Sequence, residues 1–146
     1  MKTCFFIGHR NAPEDIYARL LTVVERHITE YDVTNFVVGK YGNFDHLAAR
    51  AVIEARQRYS DVTLTLLMPY YRVDAEPLPN GFDNSLFPDG LETVPKRSAI
   101  LRANRYMLYH CEHMIVYDKG TIGNTRILVA SARKAKRIRV ENIEDD

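Results

Sequence analysis

The stretch Thr3-Cys4-Phe5-Phe6-Ile7-Gly8-His9-Arg10-Asn11 decides the reading of this chain. Cys4 to Ile7 is an unbroken apolar run bounded by a glycine and polar residues, the pattern of a strand buried on both faces. Ile16, Leu20, Val23, Val24 and Ile28 then recur at helical spacing, so strand is followed by amphipathic helix. The unit repeats as Phe36-Val37-Val38, with Phe44, Leu47, Ala48, Ala51, Val52 and Ala55 on one helical face. Val62 to Met68 predicts a third strand, Met114 to Tyr117 a fourth, and Arg137 to Ile143 a weaker fifth at the edge. Helices carrying Ile100, Leu101, Met107 and Leu108, and Ile127, Leu128, Ala132 and Ala135, fall between them. Pro95 suits the first turn of the former, and Asn124 can cap the latter. The expectation is a Rossmann-like α/β fold: a doubly wound parallel sheet of about five strands with helices on both faces.

The chain has 146 residues, enough for one substantial core but not comfortably for two, so residues 1–146 read as one domain. Twenty Lys and Arg against nineteen Asp and Glu leave a net charge of +1, so any anion site must be local. No apolar run approaches membrane-spanning length, and the short start before Gly8 is no signal peptide. Cys4 and Cys111 stand alone in apolar surroundings, which argues against a disulfide framework or zinc site and for a reducing, cytoplasmic setting. The irregular stretch is 69–94, rich in Pro and aromatic residues, which reads as a candidate lid.

In open α/β sheets ligands bind beyond the carboxyl ends of the strands, so the loops there carry the candidate chemistry. After the first strand come Gly8, His9 and Arg10: a permissive exit, a hydrogen-bonding ring and a guanidinium that can fork onto phosphate. After the second, Gly39, Lys40, Gly42, Asn43 and Asp45 open a helix, where unpaired amides at the positive dipole end suit phosphate. After the fourth, Asp118, Gly120, Gly123, Asn124 and Thr125 form a second such turn. Two turns can grip one phosphorylated ligand from two sides, and Arg105, among the arginines of the preceding helix, is a further candidate. Each turn can equally be an ordinary strand-to-helix connection. His27, His46, His110 and His113 lack metal-ligand spacing, so no metal is expected, and no cofactor is identified. The basic run Arg133, Lys134, Lys136, Arg137 and Arg139 lies at a helix end without interleaved aromatics, so nucleic acid is not expected as a partner.

Ile7-Gly8-His9-Arg10, the turn from Gly39 to Asp45, Arg102-Ala103-Asn104-Arg105-Tyr106-Met107, and Val116-Tyr117-Asp118 with Gly120 to Thr125 together resemble the SLOG superfamily. This Rossmann-like group includes the Lonely Guy phosphoribohydrolases and the DNA-processing protein of natural transformation. The resemblance runs from Thr3 to Val140 and is nearest to small, stand-alone bacterial members. It implies a nucleotide-derived ligand, with Gly8, Gly39, Gly42, Gly123, Asn124 and Thr125 at the phosphate-contacting turns. The Lonely Guy branch has Pro-Gly-Gly-x-Gly-Thr-x-x-Glu after the fourth strand, and its glutamate is implicated in N-glycosidic cleavage. Aligning the last glycine with Gly123 puts Asn124 at the threonine and Ile127 at the glutamate, so that carboxylate has no counterpart. The leading expectation is therefore a binding or sensor domain for a nucleotide-derived molecule. The alternatives are an N-glycosidic or phosphoribosyl hydrolase using Asp45 or Asp118, and an interaction domain without ligand; a homo-oligomer stays open.

Overall fold

The computed structural model describes residues 1–70 and 77–145. Six strands form one wholly parallel sheet: β1 (Lys2–Gly8), β2 (Val33–Val38), β3 (Thr63–Leu67), β4 (Asn84–Leu86), β5 (His113–Tyr117) and β6 (Arg139–Asn142). Their order is β4-β3-β2-β1-β5-β6. The helices are α1 (Tyr17–Thr29), α2 (Asn43–Arg56), α3 (Lys96–Leu108) and α4 (Asn124–Ala135). Alternation within β1 divides the interior. Cys4 and Phe6 face a core closed by Leu20, Val23 and Val24 of α1 and by Phe44, Leu47 and Ala51 of α2. Phe5 faces the opposite core, closed by Ala103 and Met107 of α3 and Leu128 and Ala132 of α4. Helices thus cover both faces, as parallel strands buried on both sides require.

The sheet has one strand more than the apolar pattern predicts. β4 lies inside the stretch 69–94, where Asn84-Ser85-Leu86 carries no run of β-branched residues and is placed by its surroundings instead. Asp83 N–H donates to the Leu64 carbonyl at 2.9 Å, and Leu64 N–H donates back to the Asp83 carboxylate at 2.9 Å. Arg56 of α2 reaches over to the Gly81 carbonyl and the Asp83 carboxylate, both at 2.6 Å. The lid expected over 69–94 falls partly on residues 71–76, outside the described residues; its later part is anchored as sheet edge. The capping expected of Asn124 is also corrected. Gly42 and Gly123 hold the N-cap positions of α2 and α4, and neither Asn43 nor Asn124 caps its helix through its side chain. Asn43 instead donates its side-chain amide to the Ala12 carbonyl, bracing the β1 exit.

The N-terminal edge of the sheet holds a buried histidine. His27 is fully enclosed; its Nδ1 faces the Val23 carbonyl at 2.9 Å, and its Nε2 has no hydrogen-bond partner among the described residues. The rings of Tyr31 and His113 lie against it at 5.1 and 5.3 Å. Burial pushes its pKa down from 6.5 to about 4, with the neighbouring His113, Arg26 and Arg139 adding to the effect. The unfolded chain therefore binds this proton before the native one, so stability falls as pH drops from about 6.5 towards 4. We expect a loss of about 3 kcal/mol across that window, read from urea unfolding at stepped pH. A His27→Leu variant should flatten this limb; an unchanged slope would assign the acid sensitivity elsewhere.

Candidate functional site

The chain lays down β1 to β4 outwards in one direction and then returns to the other side of β1 for β5, so the strand order reverses between β1 and β5. Such a reversal opens a crevice at the carboxyl ends of the strands. A cavity of about 320 Å³ lies there, floored by Phe5, Ile7 and Gly8 of β1 and Leu67 of β3. Arg10, Gly39, Tyr41 and Asp45 form one wall, Arg97, Ile100, Leu101 and Asn104 of α3 a second, and Asn124, Thr125 and Leu128 of α4 a third.

The expected site residues divide into those that line the cavity and those that shape it. Gly8, Arg10, Gly39, Asp45, Asn124 and Thr125 line it. Gly8 must be glycine for contact reasons, since a Cβ there would meet the Phe44 ring at 2.5 Å. Gly42 does not line the cavity but fits beneath Arg10: its φ is +138°, and a Cβ would lie 2.7 Å from the Arg10 Cα. Asn43 N–H donates to the Arg10 carbonyl at 2.7 Å, which fastens the start of α2 to the β1 exit. His9 ties the two central loops together, its Nε2 accepting Lys119 N–H at 3.0 Å and lying 3.8 Å from Asp118 Oδ1.

Other candidates stand outside the lining. Asp118 is occupied as a turn organiser: its Oδ1 accepts Gly120 N–H at 2.9 Å, and its backbone exchanges two hydrogen bonds with the Asn142 side chain. Lys40, Gly120 and Gly123 are exposed at the rim loops. Arg105 is exposed on the far half of α3, so Arg97 takes the place expected for it. The signal for this was present as Arg97, Ile100, Leu101 and Asn104, an i, i+3, i+4, i+7 series that puts one polar-ended stripe on the cavity side.

Electrostatically the described residues of the cavity join two guanidiniums to one carboxylate. Burial pushes the Asp45 carboxyl up to about 6, against the opposing effects of the Tyr41 N–H bond and the Arg10 charge. At the start of α4 the first i→i−4 bond is Ile127 N–H to the Gly123 carbonyl at 3.2 Å. The amides of Asn124, Thr125 and Arg126 precede it and have no acceptor within their own helix. Uncommitted amides at a helix's positive end, beside Arg10 and Arg97, suit an anionic group. Among the described residues no group of three or more His, Cys, Asp or Glu side chains can hold a metal ion. No helix among them is long and apolar enough to cross a membrane.

No protein-family model and no curated protein matches the chain. Among solved structures it is similar to DNA processing protein A (DprA) from Streptococcus pneumoniae, with a TM-score of 0.67 and 16% sequence identity. The match covers 96% of this chain and 49% of that one, so the chain spans about half the neighbour's length. With a DNA-processing neighbour, the expectation that nucleic acid is no partner finds no support. The likeness shows the fold: an open, wholly parallel, Rossmann-like α/β sheet.

Proposed function

We propose that this protein binds a nucleotide or nucleotide-derived small molecule in the β1/β5 crevice, as a binding or sensor domain of SLOG type in a cytoplasmic setting. The observation that carries the reading is the convergence in one cavity of Arg10, Arg97 and the start of α4 at Asn124 and Thr125, with an apolar floor and flank from Phe5, Ile100, Leu101 and Leu128. Cationic groups and helix amides suit a phosphate, and the apolar surface suits a base or sugar face. The likeness to DprA supports the open parallel α/β fold, and in such folds the strand-order reversal, here between β1 and β5, is where ligands bind.

A second reading, N-glycosidic or phosphoribosyl hydrolysis, is favoured by one observation: Asp45 is the carboxyl among the described residues of the cavity wall, and burial pushes it up to about 6, towards the range in which an acid/base group works. Ile127, at the position of the Lonely Guy glutamate, is exposed and supplies no acid or base. A thermal-shift screen against nucleoside mono-, di- and triphosphates, nicotinamide dinucleotides, ADP-ribose and cyclic nucleotides tests the binding reading. A midpoint rise confined to one phosphorylated class is expected, because a ligand selective for the native state stabilises by mass action. A flat profile at saturating concentrations would favour an interaction domain without ligand. Release of free base from the shifting compound would move the assignment to hydrolase.

A further inference from the structure

The turn expected to cradle phosphate already holds an anion of its own. Asp45 Oδ2 accepts Tyr41 N–H at 3.0 Å. A Cβ built on Gly39 would stand 3.0 Å from the same oxygen, so the carboxylate lies across the turn 39–42. The neighbouring amide of Asn43 is committed to the Arg10 carbonyl at 2.7 Å. A carboxylate accepting a backbone N–H in a glycine turn at a helix N-terminus does what a bound phosphate oxygen would do there.

Among the described residues the charged surroundings of Asp45 are few. Arg10 faces it from the β1 exit, Arg97 lines the same cavity from α3, and Tyr41 belongs to the turn itself. From α3 and α4 the uncharged polar groups are Asn104, Asn124 and Thr125, and Asp45 is the single carboxylate among the described lining residues. A ligand phosphate entering this space meets both guanidiniums but also that carboxylate.

We infer that Asp45 is a resident counter-anion of the cavity and that a phosphate-like group enters with uptake of a proton by Asp45. The inference rests on the ligand-site reading above. Two anions sharing one small cavity disfavour each other's charge, so binding the second raises the proton affinity of the first. By linkage, protonating Asp45 strengthens anion binding by the same factor. The neutral carboxyl then turns from a repelling group into a donor. Burial already pushes its carboxyl up to about 6, which puts the exchange within reach of ordinary solution pH.

Sulfate is the probe, because it does not itself titrate across this range, whereas a phosphate monoester does. Isothermal titration calorimetry of the full chain is expected to show sulfate affinity rising about tenfold from about pH 8 to about pH 6. Repetition in buffers of different ionisation enthalpy should show proton uptake of about 0.7 per sulfate between these limits. Asp45→Asn, neutral and nearly isosteric, should bind sulfate more tightly at the upper pH and show no pH dependence. If that variant is unstable, carbon-detected NMR titration of the Asp45 carboxyl in the native protein replaces it, and its pKa should climb on adding sulfate. A pH-independent affinity in the native protein, or a pH dependence that persists in Asp45→Asn and so belongs to another group such as His9, would overturn the inference while leaving the site in place. Absence of sulfate and nucleotide binding by both proteins would overturn the site reading and this one with it.

Discussion

Gly8→Ala is expected to lower the unfolding free energy by about 3 kcal/mol. The added methyl would be placed 2.5 Å from the Phe44 ring, which is fully buried between β1 and α2 and has Phe6 and Tyr117 against it at 6.3 and 6.1 Å between ring centroids. That ring cannot retreat without displacing the central core. Gly123→Ala is the matched control: nothing lies within 4 Å of its added methyl, and its extended backbone suits any residue. Urea unfolding of the two variants should separate them clearly. Equal stability would mean that α2 can shift away from β1, and that the crevice is not built on a fixed contact.

Arg97→Ala is expected to weaken a nucleoside monophosphate about 30-fold while changing the matching nucleoside by less than about twofold, since a charge-assisted hydrogen bond is lost only with the phosphate present. Arg10→Ala should act in the same sense, whereas Arg105→Ala, just over two turns further along α3 and outside the cavity, should leave both affinities unchanged. Calorimetry with each ligand pair decides this. Equal weakening of nucleoside and nucleotide by Arg97→Ala would place Arg97 against the sugar or base instead.

Periodicity served where packing and pattern agree. Cys4 to Ile7 and the helical faces beginning at Ile16 and Phe44 mark elements buried on a sheet or along one stripe, and these occur where the apolar spacing puts them. β4 was illegible because its three residues owe their extended form to Asp83, Leu64 and Arg56, partners up to twenty-seven positions away. The site was legible as loops at strand ends, since strand direction alone sends those loops to one edge of a parallel sheet. Which side chains turn inward was not. Glycine turns mark helix starts, but the occupancy of their amides depends on contacts such as Asn43 to Arg10 and Tyr41 to Asp45 that no spacing encodes. Arg97 and Arg105 differ by two turns and a fraction on α3, and only the position of the cavity chooses between them.

The central claim is that one crevice between β1 and β5 receives the phosphate end of a nucleotide-like ligand. The most direct measurement is a backbone amide NMR titration with adenosine monophosphate, followed by the compound giving the largest thermal shift. Shifts concentrated on Gly8, Tyr41, Asp45, Arg97, Asn104, Asn124 and Thr125, saturating together at one dissociation constant, are predicted. Shifts confined to other surfaces while these amides stay still at saturation would contradict the account.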